Sequence, residues 1–150
     1  MRLSFSKLAL YEFCPYAYRF RYVERVPTPF SAGLAVGSIV HAVLRTFFER
    51  IKSGLSTTYE DLHNLHVGYW ERAPVLDRER FRDIWMRSEA LLEEFWVTNR
   101  GDFGAPVMIE HRFRLRADAA DFHSIEGGID RVDAVAGGME VIDYKSGATP

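Results

Sequence analysis

The sequence predicts a mixed α/β (α+β) fold in which N-terminal helices pack on a mixed central sheet. Residues 1–104 carry apolar side chains mostly at helical spacing, whereas residues 105–150 alternate apolar and polar side chains with a period of two. The pattern changes after Pro106. Helices followed by strands are typical of helices packed on one sheet. We expect one domain over residues 1–150, mainly helical over 1–104 and a strand meander over 105–150, since 150 residues can bury a sizeable core.

Four helices are predicted before residue 104, and most of them have a Ser or Thr cap or a terminal Gly. They cover "SFSKLALYEFCPYAYRFRYV" with Ser4 or Ser6 as the cap, "GLAVGSIVHAVLRTFFERIKSG" ending at Gly54, "TTYEDLHNLHVGYW" after Thr57 or Thr58, and "DRERFRDIWMRSEALLEEFWVTNR" ending at Gly101. The strands are "VMIEHRFRLRA", "FHSIEG", "GIDRVDAVA" and "MEVIDYKSG", with Gly127-Gly128 and Gly137-Gly138 as turns.

The composition limits the class of partner and the compartment. The net charge is -2 and the pI is near 6.2, so no global basic field attracts polyanions. This weakens the case for nucleic-acid binding without excluding it, because a local patch of basic residues can bind nucleic acid. The N-terminus is too interrupted by charge for a signal peptide, and no apolar run approaches the roughly 20 residues of a membrane span. The lone Cys14 fits a reducing compartment, so we expect a cytoplasmic protein without a membrane partner.

The last predicted hairpin places two acids and one base on one face. With Gly137-Gly138 as a two-residue turn, Asp130 lies opposite Lys145 and Val132 lies opposite Asp143. Asp130 and Asp143 are then diagonal neighbours, roughly 7–8 Å apart between Cα atoms. A divalent cation fits between two such carboxylates, and Lys145 could then hold a water or a phosphate oxygen. The alternative is a surface ion pair between Asp130 and Lys145, worth roughly 0–1 kcal/mol.

Three stretches resemble one family. "GGIDRVDAVAGGMEVIDYKSG" resembles the core hairpin of the PD-(D/E)xK nuclease superfamily in its RecB-like exonuclease branch, with Ile129 in place of the motif's proline. Asp130 matches the first motif aspartate and "DYK" the (D/E)xK element. "VGSIVHAVL" is similar to the branch's Gly-x-x-x-His helix, with His41 as the histidine. "LSFSKLALYEFCPYAYRFRYV" is similar to the N-terminal helix of AddB-type and CRISPR-associated RecB-like exonucleases.

The resemblance implies a restriction-endonuclease-like core and a metal-dependent DNA exonuclease of the repair or recombination type. It implies that His41, Asp130, Asp143 and the backbone carbonyl of Tyr144 bind Mg²⁺ or Mn²⁺. Lys145 would position the attacking water and stabilise the transition state. The expected partners are DNA with a free end and a helicase subunit or domain. The alternative function is a catalytically silent DNA-binding or scaffolding module that keeps the fold.

Other residues have two interpretations each. Glu110 either joins the acidic site as a ligand or alternates outward from its strand. Lys7, Arg19 and Arg21 are interleaved with tyrosines, either as a strip that contacts a DNA strand or as a helix face of snorkelling side chains. Arg131 and Asp133 alternate onto the opposite face of the hairpin, where structural pairing is expected.

Cys14 and the end of the sequence raise a further expectation. The N-terminal stretch resembles a helix of family members that bind a [4Fe–4S] cluster. In those members the cysteine at the position of Cys14 is the first cluster ligand, and three more cysteines follow the catalytic hairpin. This chain ends first, so the resemblance implies an N-terminal portion of the nuclease domain, and a cluster only in a longer product. The alternative is that Cys14 is a small buried hydrophobe. A sheet that stops here would leave an unpaired edge, which favours self-association.

Overall fold

Apart from the two-residue strand β1, helices precede strands among the described residues, and the mixed α/β class predicted from the sequence is confirmed. The computed structural model describes residues 2–27, 31–55, 57–72, 81–99, 102–116 and 123–146. In chain order, the elements within these residues are β1 (Arg2–Leu3), α1 (Phe5–Phe13), α2 (Pro15–Tyr18), a π-helical segment (Arg19–Val23), α3 (Ala32–Lys52), α4 (Tyr59–Arg72), α5 (Arg82–Asn99), β2 (Met108–Arg116), β3 (Ser124–Val135) and β4 (Gly138–Ile142).

The chain forms two compact units. The first comprises Met1–Phe30 and His111–Ile129, and the second comprises Ser31–Glu110 and Asp130–Pro150. All of the residues that the sequence singles out as ligands of Mg²⁺ or Mn²⁺ or as catalytic groups belong to the second unit.

In the first unit the predicted N-terminal helix breaks at Cys14. Ser4 caps α1, because its hydroxyl accepts a hydrogen bond from the amide of Lys7 at 3.4 Å. Cys14 has extended dihedral angles and separates α1 from α2, which begins at Pro15. A proline disfavours the helical conformation of the residue before it but suits the first position of a new helix. The Cys14-Pro15 pair therefore divides what the periodicity alone predicts as one helix.

In the second unit α3 packs against α4 and α5. Its apolar stripe supplies eight buried residues, and α4 and α5 add three each: Val36, Ile39, Val40, Ala42, Val43, Leu44, Phe47, Phe48, then Leu62, His66, Trp70, then Ile84, Ser88, Leu92. Each fully buried large apolar side chain contributes roughly 1.5–3 kcal/mol. This core fixes α3, the helix that carries His41.

Helix α3 has the length and apolar character of a membrane-crossing segment, with a mean hydropathy of 1.2 over its most apolar window. Core helices show the same property when one face is buried. The packing of α3 against α4 and α5 accounts for its apolar composition.

His66 is a polar group inside this core. Its Nε2 atom accepts a hydrogen bond from the Trp70 indole at 2.9 Å and lies 2.8 Å from the Ser88 hydroxyl, and the Trp85 ring packs on it at 4.4 Å. Its Nδ1 atom has no partner among the described residues. Burial, together with the charge of His63, lowers the pKa of His66 from 6.5 to about 4.

This burial predicts acid sensitivity of the fold. Because the pKa of His66 is lower in the folded state, the unfolded chain binds more protons between about pH 4 and 6.5. The free energy of unfolding should therefore fall by up to about 3 kcal/mol as the pH drops through that window. Urea unfolding at several pH values measures it, with His66→Gln as the control. Parallel losses in both proteins would show that other groups cause the effect.

The sheet is centred on β3, in the order β1-β3-β2, and β4 also pairs with β3. β1 is a short strand that the sequence pattern did not predict, and it pairs in parallel with Ser124 and Ile125 of β3. The predicted turn at Gly127-Gly128 is wrong, because both glycines lie inside β3. The Phe113 ring covers Gly127 so closely that a Cβ atom there would lie 2.5 Å from it.

The hairpin of β3 and β4 turns one residue earlier than predicted. Val135 pairs with Gly138, so Ala136 and Gly137 form the turn, and Gly137 has a φ of 86° that glycine adopts without strain. Val132 therefore pairs with Val141 instead of Asp143. Since this slip is two residues, it preserves the face to which each side chain belongs.

Candidate metal centre

Helix α3 presents His41 beside the segment that follows β4. His41 lies at the edge of the buried stripe, and its side chain is 29% exposed. Gly37, one turn earlier on the same face, lies against Ser146, and a Cβ atom at Gly37 would be 2.7 Å from the Ser146 hydroxyl. The absence of a side chain at Gly37 therefore lets the segment after β4 approach α3 next to His41.

Both ring nitrogens of His41 face oxygen atoms. Nε2 lies 2.8 Å from the carbonyl oxygen of Tyr144, and Nδ1 lies 3.3 Å from Oδ1 of Asp130. A neutral imidazole carries one N–H group and can donate to one of these oxygens only. The remaining nitrogen then faces an oxygen lone pair, an arrangement that a metal cation between the two atoms relieves.

Asp130 is held by the backbone of Tyr144. Its Oδ2 atom accepts a hydrogen bond from the Tyr144 amide at 2.8 Å, while Oδ1 faces His41. The Asp130 side chain is only 14% exposed. Tyr144 thus contacts both groups through its backbone, the amide on Asp130 and the carbonyl on His41.

Glu110 completes a group of three potential ligands. One ligand atom from each of His41, Glu110 and Asp130 lies within 4.8 Å of the others. Glu110 lies in β2 with a φ of 49°, in the left-handed region that non-glycine residues rarely occupy. This conformation costs about 1–3 kcal/mol and interrupts the alternation of the strand. The structure places Glu110 beside His41 and Asp130, and its role as a metal ligand stays a prediction.

These donors fit a hard divalent cation. Two carboxylates and one imidazole supply mainly oxygen ligands, which suit Mg²⁺ and Mn²⁺. Two oxygen atoms face the ring nitrogens of His41, and the backbone of Glu110 is strained. These two features indicate a group of residues arranged for a function other than packing. His41, Glu110 and Asp130 are therefore the residues that would hold a metal ion here.

Asp143 and Lys145 lie just beyond the end of β4. The Lys145 ammonium contacts Oδ2 of Asp143 at 2.5 Å, and the two side chains are 82% and 53% exposed. The hydrogen bond and the charge of Asp143 raise the pKa of Lys145. In this arrangement Asp143 pairs with Lys145 and lies outside the three-residue group, so its predicted role as a ligand stays a prediction.

The opposite face of the hairpin anchors the centre to the core. Arg131 pairs with Asp133 at 3.1 Å, as expected from their shared face, and its guanidinium stacks 4.0 Å above the Phe48 ring. It also donates to the Tyr144 hydroxyl at 3.1 Å. Burial raises the pKa of Tyr144 to about 12. The sequence pattern did not reveal this anchoring role of Arg131, because its contacts with Phe48 and Tyr144 join distant segments.

The remaining candidates belong to the first unit. Cys14 caps α2, since its sulfur accepts a hydrogen bond from the amide of Ala17 at 3.5 Å. The Lys7 amine donates to the carbonyl of Arg2 at 3.0 Å, and Arg19 pairs with Glu24 at 2.7 Å. The guanidinium of Arg21 lies 5.7 Å from the Tyr22 ring. Their predicted roles in DNA binding and in an iron–sulfur cluster stay predictions.

The fold and this site define a class of protein. The family model of the PD-(D/E)XK nuclease superfamily matches residues 2–150. The chain therefore belongs to the PD-(D/E)XK nuclease superfamily. The searches of curated proteins and of solved structures returned no significant match.

Proposed function

We propose that the chain is a divalent-metal-dependent deoxyribonuclease that removes nucleotides from a DNA end, as in the RecB-like branch of its superfamily. The observation that carries the proposal is the convergence of His41, Glu110 and Asp130 within 4.8 Å, in the same unit as Lys145. Superfamily membership supports nuclease chemistry on nucleic acid.

The three convergent side chains would hold Mg²⁺ or Mn²⁺, which supplies Lewis-acid stabilisation of charge on a phosphate when bound. We propose that Asp143 and the Tyr144 carbonyl join them. Asp143 directly follows β4 and is half-exposed, so it can rotate away from Lys145 without disturbing the core. The Tyr144 amide keeps the Asp130 carboxylate oriented during this exchange.

Lys145 acts as a cation in this proposal. An exposed lysine amine carries a proton at neutral pH, so Lys145 donates hydrogen bonds whether or not Asp143 is paired with it. Its exposed ammonium can orient a water molecule and offset charge on the phosphate oxygens. The water oxygen bonds to phosphorus and releases a proton to the solvent, the bond from phosphorus to the leaving oxygen breaks, and that oxygen takes up a proton from the solvent.

The cellular setting is part of the proposal. We place the protein in the cytoplasm, acting in repair or recombination on DNA ends that a helicase subunit or domain supplies. Among the described residues β4 pairs only with β3, which supports self-association through its other edge.

Replacing Lys145 by Ala tests the catalytic role. Linear DNA incubated with Mn²⁺ should be shortened by the wild-type protein, and the variant should be at least about 100-fold slower because it loses the ammonium that offsets transition-state charge. A lysine does not bind a cation, so the affinity of the variant for Mn²⁺, measured by calorimetry, should stay within about threefold of wild type.

Three outcomes separate the alternatives. Cleavage of linear DNA by Lys145→Ala at the wild-type rate would remove Lys145 from the mechanism. Cleavage of closed circular DNA at the rate of linear DNA would replace the exonuclease by an endonuclease. DNA binding by the wild-type protein with no metal-dependent cleavage would support the catalytically silent DNA-binding or scaffolding module instead.

A further inference from the structure

An open cleft lies beside the candidate metal centre in the second unit. Its volume is about 520 Å³, and His41 and Glu110 form part of its wall. The wall also carries Arg45 from α3, Tyr69 from α4 and Ser146. A volume in this range is typical of a site for one small ligand.

Helix geometry places a cation next to the centre. His41 and Arg45 are four residues apart on α3, so they lie on the same face with Arg45 about 6 Å further along the helix. Arg45 is exposed and has no ion-pair or hydrogen-bond partner within the described ranges. By contrast, Arg50 of the same helix is paired with Asp61 at 3.0 Å. The Arg45 guanidinium is therefore free to bind an anion in the cleft.

The aromatic wall is also accessible. Tyr69 is 37% exposed and lines the cleft from α4, the helix that packs on α3. An exposed aromatic ring beside a cation is the pair of groups that single nucleic-acid strands use, the ring for stacking on a base and the cation for a phosphate.

We propose that this cleft is a subsite for the nucleotide next to the scissile phosphate, with Arg45 bound to its phosphate and Tyr69 stacked on its base. The inference rests on the proposed function, because the metal group marks where the scissile phosphate lies. A volume of about 520 Å³ suits one nucleotide unit.

The test is the binding of a short fluorescein-labelled oligodeoxythymidylate in EDTA, measured by fluorescence anisotropy. Arg45→Ala should weaken binding about tenfold or more, since it removes a charge-assisted contact. It should also reduce the slope of log affinity against log salt by about 0.7, the value for one phosphate contact on a single strand. Tyr69→Leu should weaken binding roughly five- to a hundredfold without changing that slope, whereas Tyr69→Phe should bind like wild type.

Arg82→Ala is the matched control, since it removes the same charge from an exposed position of α5. It should stay within about twofold of wild type, and thermal melting should show that every variant is folded. Equal losses in Arg45→Ala and Arg82→Ala, or no oligonucleotide binding by the wild-type protein, would overturn the subsite. If the protein cleaves DNA but Arg45→Ala binds the oligonucleotide like wild type, the subsite alone is overturned. If binding depends on Arg45 and Tyr69 but no cleavage occurs, the nuclease proposal alone is overturned.

Discussion

Replacing Asp130 by Asn should reduce the affinity for Mn²⁺ by at least about 100-fold. Loss of an outer partner of a metal ligand alone typically costs 10–100-fold, and Asp130 is expected to contact the metal directly. Asparagine still accepts the hydrogen bond of the Tyr144 amide through its side-chain oxygen, so the local backbone should persist. Calorimetric titration of Mn²⁺ into both proteins measures the difference.

Asp133→Asn is the matched control for this loss, since it makes the same change three residues later on the opposite face of the hairpin. Its affinity for Mn²⁺ should remain near that of wild type. Equal affinity of the Asp130 variant and the wild type would rule out the metal site. The same titration of Asp143→Ala tests the predicted additional ligand, and we expect a loss of about tenfold or more.

A pair of substitutions at Glu110 separates metal binding from stability. Glu110→Gly and Glu110→Ala both remove the carboxylate and should both weaken Mn²⁺ binding. Only glycine adopts a φ of 49° without strain, so the glycine variant should be the more stable of the two by about 1 kcal/mol. In an ordinary strand position the order would be reversed.

Replacing Arg131 by Leu should lower the free energy of unfolding by roughly 3–5 kcal/mol, a large part of the stability of a typical domain. The change leaves the carboxylate of Asp133 without its buried partner and removes the cation stacked on Phe48. It also leaves the Tyr144 hydroxyl without its donor. Urea unfolding of variant and wild type gives the difference.

The double variant Arg131→Leu with Asp133→Leu should recover most of this loss, because an apolar pair can replace a buried ion pair at little cost. Arg82→Leu, at an exposed position, should change stability by no more than about 0.5 kcal/mol. A loss below 1 kcal/mol in Arg131→Leu would show that the buried pair contributes little to the fold.

The sequence predicts which residues share a face of the hairpin better than it predicts the register of its two strands. Period-two alternation assigns Asp130, Asp143 and Lys145 to one face, and an even slip in register leaves that assignment intact. Which of the residues around Gly137-Gly138 form the turn depends on packing of the whole sheet, because adjacent glycines allow more than one turn. The register was therefore the part that the local pattern could not determine.

Glu110 shows a second limit. Strand periodicity does not decide whether the Glu110 carboxylate points toward the site or outward. Its left-handed backbone conformation could not be predicted either, because glutamate rarely adopts a positive φ. Arg131 shows a third limit, since its partners Phe48 and Tyr144 come from different elements of the chain. By contrast, the Gly37–His41 spacing on α3 depends on helix geometry alone and is predictable.

The two roles of Tyr144 determine which substitutions position 144 can accept. Its amide and carbonyl serve Asp130 and His41, while its ring packs among His41, Phe95 and Arg131. The contacts of Tyr144 with Asp130 and His41 therefore come from its backbone and not from its side chain, so a substitution by another large residue should preserve them. Proline is the exception, because it has no amide hydrogen to hold the aspartate. Position 144 therefore needs a backbone amide hydrogen for Asp130 and a large side chain that fills the space beside Phe95.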